Sequence, residues 1–557
     1  MKRTKFVLAL LFINTAMSVA PARAEIKPPK LIIMMVVDQF RADYLMRFKS
    51  RFLAARSGDR VGGYNFLMKQ GAYFPYGQYD LLQSMTGPGH ATVLTGSYGY
   101  QSGIPSNDWY SQENRDWVYC TEDRTNATVG GNIKNPHAGT SPKNLAASTV
   151  GDELKNAGYP SRVVSLSLKD RAAILMGGHR ADIAVWMDQG SLSWVSSRYY
   201  LPDGKLPEWV EKLNQDLTAQ KGWALEWKPA TSETGFSAKN AMALSNEGNA
   251  GKLGGVDFPH HAPAGSKGSY SMPFGLEITE KAAESAIDAY SLGRGKATDL
   301  FAVSFSTHDY AGHAFGPNSR EMEEMTVAED AVIAKFLNFI KSRVDLKNVV
   351  LVFTGDHGIP MNPDYAAANH FPGGRIDEKP LTERISTKLN EEIGKLPSDQ
   401  KWFVYFHDFN FHLNKHAISE KNYDLARVET IAKEEMLKEP GAAFVLTGIE
   451  YANHKLPPGQ HERQVLHSYF PGRSGDLVLI PKPGFMPGQE DTVAHLTGYS
   501  YDRTVPLIFL GAPFKSGTYA SKAEIIDIAP TLTFLSGVIP PSLSEGRVLS
   551  EIMAPQK

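Results

Sequence analysis

The chain has 557 residues, of which 42% are hydrophobic and 21% are charged, and its formal net charge is −2 at pH 7. These proportions are typical of an ordinary globular protein with a large buried core. A net charge so close to zero gives no electrostatic basis for binding nucleic acid, so no nucleic-acid partner is expected. The single cysteine, Cys120, excludes an intramolecular disulfide, and stability must come from the core.

The first 24 residues have the pattern of a cleavable export signal. Three basic residues among the first five precede an apolar stretch at residues 6–19, and an A-x-A cleavage site ends at Ala24. The alternative, an uncleaved anchor, is disfavoured because the stretch is short for a bilayer span of about 20 residues. We therefore expect cleavage after Ala24 and a periplasmic or secreted protein without a stable membrane anchor.

Beyond the signal, apolar runs typical of buried strands alternate with amphipathic stretches typical of helices. The strands are predicted at residues 31–37, 161–167, 300–305, 349–353, 476–480 and 505–510. The helices are predicted at residues 146–157, 277–292, 322–344 and 528–535. This alternation predicts an α/β fold with a mostly parallel central sheet and helices on both of its faces.

Two stretches lack this rhythm. Residues 191–275 are rich in Trp, Pro and Gly, and residues 369–471 mix aromatic, polar and helical pieces. We predict that both are cap-like insertions in a single catalytic domain spanning residues 25–557, because the chemically active residues on either side of them must converge.

Six residues of the types that bind metals follow, or lie near, the predicted strands. An Asp ends the strand at 31–37, a D-x-x-x-H motif follows 300–305, and an Asp-His pair follows 349–353. An open α/β sheet places its ligand site at the carboxyl ends of its strands, and Asp with His suits zinc. The six are Asp38, Asp309, His313, Asp356, His357 and His495. The pattern predicts metal-assisted chemistry at two sites.

A candidate nucleophile, Thr86, opens the motif T-G-P-G-H just before a helical stretch. The free N–H groups and the dipole of a helix N-terminus favour an anion, which would lower the cost of forming an alkoxide there. A divalent metal would activate the hydroxyl further. From the residues alone, a helix-capping threonine is an equally good interpretation.

The order of these motifs from Leu31 to Gly511 resembles the alkaline phosphatase superfamily, and within it the PafA-type bacterial alkaline phosphatases. The resemblance implies an alkaline-phosphatase-like α/β fold and an exported, monomeric enzyme that hydrolyses a broad range of small phosphate monoesters. Its catalytic residue would be Thr86, through a phosphothreonine intermediate. Leu496 stands where the family often has Gly after its last His ligand.

The same resemblance implies a division of the ligands between two zinc ions per chain. One ion would be held by Asp309, His313 and His495. The other would be held by Asp38, Asp356 and His357, with Thr86 on it.

Three further residues match the monoesterases of this family. Asn107 would donate to a phosphoryl oxygen. Lys169 and Arg171 alternate along the chain that leaves the strand at 161–167, so both side chains can face one way. There they would neutralise the extra charge of a monoester dianion; the alternative is a solvated surface pair.

Two other functional interpretations stay open at this stage. One is a phosphodiesterase, or another phosphate or sulfate ester hydrolase, on the same pair of metals. The other is a non-catalytic binding protein, which is disfavoured because neither a ligand nor the nucleophile is missing. Cys120 and Arg124 have sulfatase-like spacing, but Glu122 replaces the required Pro. Several remaining histidines are given no role: His308, His407, His412 and His416.

Overall fold

The computed structural model describes residues 27–131, 139–230, 258–456, 459–488 and 493–555. The predicted export signal at residues 1–24 lies outside them, as does part of the stretch at 191–275. Among the described residues, no helix is both long enough and apolar enough to cross a bilayer.

A ten-stranded sheet forms the centre of the described chain. Five neighbouring strands at its centre run parallel: Val349–Gly355, Leu31–Val37, Asp299–Phe305, Val163–Ser167 and Ile183–Asp188. In spatial order the strands are Gly517–Thr518, Ala72–Gln78, Thr504–Leu510, Val349–Gly355, Leu31–Val37, Asp299–Phe305, Val163–Ser167, Ile183–Asp188, Ser193–Ser197 and Thr128–Val129.

The strand Leu31–Val37 shows why this sheet is buried on both faces. All seven of its side chains are buried, as its unbroken apolar sequence predicts. Its odd-numbered residues pack with the helices Pro273–Ala289 and Arg320–Arg343, and its even-numbered residues pack with Thr86–Thr95 and Ile528–Ser536. The predicted α/β fold with helices on both faces is confirmed.

The helices follow the amphipathic stretches, with ends that depend on capping. The helix predicted at 146–157 begins only at Val150, because Thr149 and Asp152 form a capping box there. In the described ranges the α-helices are Tyr44–Arg47, Tyr64–Gln70, Thr86–Thr95, Gly99–Ser102, Val150–Asn156, Asp170–Gly177, Glu208–Gln220, Pro273–Ala289, Thr307–Phe315, Arg320–Arg343, Pro363–Ala368, Glu378–Glu392, Lys415–Glu420, Leu425–Met436, Gly448–Ala452, Gln460–Ser468, Ser500–Arg503 and Ile528–Ser536.

The strand predicted at 476–480 is present as Leu477–Pro481, but it does not belong to the central sheet. It lies in a separate four-stranded antiparallel sheet. A short apolar run predicts a strand but not the sheet that it joins, which is why the sequence misplaced it. The other strands of this sheet are Phe403–His407, Asn410–Leu413 and Ala442–Thr447.

This second sheet, which we call the cap sheet, packs with the helices Glu378–Glu392 and Leu425–Met436 around an apolar core of its own. It occupies much of the stretch at 369–471 and extends past it. The stretch at 191–275 differs from a simple insertion, because its first strand, Ser193–Ser197, is part of the central sheet. The hairpin formed by Ala224–Trp227 and His260–Pro263 stands apart from that sheet. Four small two-stranded sheets accompany the two larger ones among the described residues, and the strands not yet named are Arg56–Ser57, Arg60–Val61, Asp108–Ser111, Asp116–Tyr119, Gly374–Ile376 and Phe485–Pro487.

Candidate active site

The carboxyl ends of three parallel strands lie side by side, and five of the six predicted ligands follow them, while His495 comes from the segment before the helix Ser500–Arg503. In the sheet register, Val37 is opposite both Phe305 and Gly355, so the residues that follow these positions meet at one edge. Two groups form there, each with ligand atoms within 4.8 Å of one another. The first group is Asp309, His313 and His495, and the second is Asp38, Asp356 and His357. We refer to them as the first and second ligand clusters.

Each of the three histidines has Nδ1 on a backbone carbonyl. His313 Nδ1 lies 2.7 Å from Val493 O, His495 Nδ1 lies 2.7 Å from Ser84 O, and His357 Nδ1 lies 3.0 Å from Gly358 O. Such a bond assigns the proton to Nδ1 and leaves Nε2 as the electron-pair donor. All three Nε2 atoms are within 3.7 Å of a carboxylate oxygen in the clusters.

The D-x-x-x-H motif lies on the helix Thr307–Phe315, which starts where the strand Asp299–Phe305 ends. Residues four apart lie on one face of a helix, and Asp309 Oδ1 is 3.2 Å from His313 Nε2. The four-residue spacing on this helix thus directs both side chains into the same cluster.

The two clusters are in direct contact. The imidazole rings of His357 and His495, one from each cluster, stack with their centroids 3.6 Å apart. Lys169 Nζ lies 2.7 Å from Asp38 Oδ2 and 2.5 Å from Asp309 Oδ2. One buried ammonium group therefore bridges a carboxylate of each cluster.

Buried polar atoms in the second cluster fit a metal cation. Asp38 Oδ1 and His357 Nε2 are buried without a hydrogen bond to any described residue, while Asp38 Oδ2 is paired with the Lys169 ammonium at 2.7 Å. Burial, with the charges of Asp309 and Asp356, raises the pKa of Asp38. Such atoms are costly to bury unless a cation or a donor satisfies them, so the donor set suits a divalent metal.

His495 of the first cluster is suited to coordinate a metal as a neutral imidazole. Burial, followed by the charge of His357, lowers the pKa of His495 to about 3. Burial opposes ionisation of Asp309, but Lys169 and His313 outweigh it and hold the pKa of that carboxyl well below its ordinary value. A neutral imidazole beside an ionised carboxylate is the pair of states that a metal site requires.

Thr86 is the first residue of the helix Thr86–Thr95, and Met85 precedes it in an extended conformation. Its Oγ1 lies 3.4 Å from Lys169 Nζ and 3.4 Å from Arg171 Nη2. The hydroxyl is thus directed at two cations, and the cap position belongs to Met85. The helix-capping interpretation of Thr86 therefore does not hold, because Met85 occupies the cap position and no side chain caps this helix.

The predicted phosphate-binding residues meet around this hydroxyl. Lys169 and Arg171 lie at the start of the helix Asp170–Gly177, directly after the strand Val163–Ser167. Asn107 Oδ1 accepts a hydrogen bond from the backbone N–H of Gly87 at 2.8 Å. Its Nδ2 group is then oriented to donate. Arg171 Nη1 donates to Tyr119 Oη at 3.0 Å, which holds the guanidinium in place.

A cavity of about 420 Å³ opens beside Thr86. One wall contains the site residues Asn107, Arg171, His313 and His495, and the other contains Phe406 and His407 of the cap sheet with residues 377–380. The contact of His407 with Asp108, 3.5 Å from Nδ1 to Oδ1, raises the pKa of His407 to about 10. No sequence pattern assigns His407 a role, yet its side chain lines this cavity.

Two buried residues that the sequence did not indicate connect the site. His90 Nδ1 lies 2.9 Å from Thr86 O and 3.1 Å from Asp356 Oδ2, and its Nε2 lies 2.8 Å from Ser304 Oγ. Gln39 donates hydrogen bonds to Asp309 and Asp356. The T-G-P-G-H motif contains His90, but nothing in the sequence identified its partners.

Comparison with known proteins agrees with this geometry. Residues 32–503 match the model of the type I phosphodiesterase / nucleotide pyrophosphatase family. The chain is 32% identical to alkaline phosphatase PhoV of Synechococcus elongatus over 98% of each chain, and 30% identical to alkaline phosphatase PafA of Elizabethkingia meningoseptica over 99% of each.

The crystal structure of PafA matches with a TM-score of 0.83 at 29% identity, over 95% of this chain and 100% of PafA. A solved variant of PafA carries substitutions at a threonine, an asparagine, a lysine and an arginine. These are the residue types of Thr86 and of the three predicted phosphate-binding residues beside it. The chain belongs to the alkaline phosphatase superfamily, in the type I phosphodiesterase / nucleotide pyrophosphatase family, and is related over nearly its whole length to the bacterial alkaline phosphatases.

Proposed function

We propose that this protein is an exported alkaline phosphatase that hydrolyses a broad range of small phosphate monoesters with two zinc ions and a phosphothreonine intermediate. One observation carries the proposal: the Thr86 hydroxyl lies between the cations of Lys169 and Arg171, beside two Asp/His clusters and a cavity. The alkaline phosphatases PhoV and PafA support the same reaction class. The A-x-A pattern supports export, and the family resemblance supports a monomer.

Substrate binding follows from the charges around Thr86. A monoester dianion brings about one more negative charge to the site than a diester. The Arg171 guanidinium and the Nδ2 group of Asn107 would donate to its phosphoryl oxygens, while Lys169 adds a second positive charge. Asn107 is fixed for this purpose, because its Oδ1 is held by the N–H of Gly87.

The zinc ions, when bound by the two clusters, would favour the ionised form of the Thr86 hydroxyl and stabilise charge on the leaving-group oxygen. Asp309, His313 and His495 would hold one ion, and Asp38, Asp356 and His357 the other, with Thr86 as a further ligand. Their ligand atoms are already grouped in this division.

The reaction then takes place in two displacements at phosphorus. The Thr86 hydroxyl gives its proton to solvent, and its Oγ1 forms a bond to phosphorus while the bond to the ester oxygen breaks. The leaving group takes up a proton from solvent and departs as an alcohol or phenol. Water then attacks the phosphothreonine, which releases inorganic phosphate and restores the Thr86 hydroxyl. Two inversions give net retention at phosphorus.

The leaving group would occupy the side of the cavity formed by the cap sheet. Its wall combines an aromatic side chain, Phe406, with charged groups of both signs, among them His407 and residues 377–379. Such a mixed wall has no single complementary chemistry, which supports a broad substrate range.

The test is the removal of the Thr86 hydroxyl. In Thr86→Ala we expect monoester turnover to fall by several orders of magnitude with two zinc ions still bound, whereas Thr86→Ser keeps substantial turnover because its hydroxyl remains. Thr92→Ala is the matched control, because it removes a hydroxyl of the same helix that donates only to the backbone carbonyl of Pro88. Near-normal turnover in Thr86→Ala, or phosphate trapped on another residue after acid quenching, would overturn the assignment.

A further inference from the structure

Gln39 contacts both ligand clusters at once. It follows Asp38 at the end of the central strand and is completely buried. Its backbone N–H donates to Asp356 Oδ1 at 2.9 Å, in the second cluster. Its side-chain Nε2 donates to Asp309 Oδ1 at 2.8 Å, in the first cluster. A single residue thus orients one carboxylate of each cluster.

The backbone of Gln39 is strained in order to make these contacts. Its φ of 65° lies in the left-handed region, which non-glycine residues rarely adopt. Such a conformation persists only where the surrounding structure holds it. Here the hydrogen bonds to the two carboxylates are the interactions that hold it.

The helix that carries Asp309 and His313 leaves room for this side chain. A Cβ atom added at Gly312, between those two ligands in sequence, would overlap Oε1 of Gln39. Only a glycine at position 312 lets the amide reach Asp309. The left-handed φ of Gln39 and the absence of a side chain at Gly312 both allow the hydrogen bond from Gln39 to Asp309.

The oxygen of Asp309 that Gln39 contacts also faces the histidines of the first cluster, because Asp309 Oδ1 lies 3.2 Å from His313 Nε2 and 3.7 Å from His495 Nε2. The second oxygen of each carboxylate has another partner: Asp309 Oδ2 lies 2.5 Å from Lys169 Nζ, and Asp356 Oδ2 lies 3.1 Å from His90 Nδ1. By donating to Oδ1 in each case, Gln39 fixes the orientation of both carboxylates. Residues that donate hydrogen bonds to metal-binding carboxylates typically change metal affinity by about 10–100-fold.

We propose that Gln39 is a positioning residue that aligns the two metal clusters, through its side chain for the first and through its backbone for the second. The inference rests on the proposed zinc binding. It predicts that a mutation can remove the side-chain contact with Asp309 while the backbone contact with Asp356 remains.

Gln39→Gly separates them, because glycine keeps the backbone N–H to Asp356, accepts the positive φ and loses the amide to Asp309. We expect zinc affinity to fall about 10–100-fold at one site and to change little at the other. Titration of the metal-depleted full-length mature protein with zinc, in competition with a chromogenic chelator, measures both affinities. Monoester turnover should return toward the wild-type rate when zinc is raised to saturation, since no substrate contact is lost.

Two comparisons make the result decisive. Asn422→Gly replaces an exposed residue of similar φ, 52°, and should leave both affinities unchanged. Gln39→Met keeps the bulk without the donor and should weaken the same site as Gln39→Gly. Equal affinities in wild type and both Gln39 variants, or equal weakening of both sites in Gln39→Gly, would overturn the inference. A wild-type protein that binds no zinc would instead refute the proposed function.

Discussion

Lys169 and Arg171 are two residues apart and have different surroundings. The Lys169 ammonium lies between Asp38 and Asp309, so it balances the charge of the ligand clusters as well as facing Thr86. Burial opposes its charge, but Asp309 and Asp38 outweigh that effect and raise the pKa of Lys169. Arg171 contacts Thr86 and Tyr119, with no carboxylate ligand among its hydrogen bonds. Arg171 is therefore the cleaner probe of phosphate recognition.

We expect Arg171→Ala to lower kcat/KM for an aryl phosphate monoester by about tenfold to a hundredfold, which corresponds to a lost charge-assisted contact of roughly 1.5–3 kcal/mol. The loss on a diester should be much smaller, because the diester lacks the extra negative charge. Steady-state kinetics on both substrates, with zinc content measured, gives the answer. Arg180→Ala removes an exposed guanidinium and serves as the control. Equal losses on the two esters would mean that Arg171 has only a structural role.

Among individual residues, those in the motifs could be predicted from the sequence, and the residues that support them could not. Asp38, Asp309 and Asp356 each follow a recognisable strand, so their meeting follows from the parallel sheet. Gln39 was missed because its partners lie 270 and 317 positions away in the chain, and no local pattern specifies them.

Among the elements, the helix Thr86–Thr95 depends on a close approach to the second cluster. A Cβ atom added at Gly89 would lie 2.5 Å from the carbonyl oxygen of Asp356 and 2.9 Å from its Cβ. Because the nearest atom belongs to the backbone of Asp356, it cannot move aside as the end of a flexible side chain could. The small residue at position 89 thus allows the nucleophile and its metal ligands to share one site.

Gly89→Ala should therefore push the helix away from Asp356. We expect monoester kcat/KM to fall by at least tenfold and the protein to lose roughly 1–3 kcal/mol of unfolding free energy from overpacking, even though alanine favours helices. Urea unfolding and kinetics at saturating zinc measure the two effects. Gly190→Ala, where the added atom meets nothing closer than 3.5 Å, should change neither. Normal activity in Gly89→Ala would show that the close approach is not needed.

The elements themselves were predicted unevenly. Two strands of the central sheet, Ala72–Gln78 and Ile183–Asp188, were not predicted. Strands such as Leu31–Val37 were predicted because their apolar run is uninterrupted. Leu477–Pro481 has the same local pattern but joins the cap sheet, and its partners are set by tertiary packing. For the same reason the sequence did not show that His407 lies across the cavity from Thr86.

In the whole molecule, the parallel strands of the central sheet bring together ligands from distant parts of the chain, and the cap sheet forms the opposite wall of the cavity. The family as a whole includes phosphodiesterases as well as the alkaline phosphatase relatives. In this chain two cationic side chains, Lys169 and Arg171, lie beside the Thr86 hydroxyl. The preference between monoester and diester therefore depends on the assembled site, and the fold alone does not decide it.

The most direct measurement is the ratio of kcat/KM for an aryl phosphate monoester to that for the matching methyl aryl diester, with the purified protein at saturating zinc. If Lys169, Arg171 and Asn107 recognise the extra charge, the ratio should exceed about a hundredfold in favour of the monoester and fall sharply when zinc is removed by a chelator. A ratio near one, or a preference for the diester, would contradict the account and favour a phosphodiesterase on the same metal clusters.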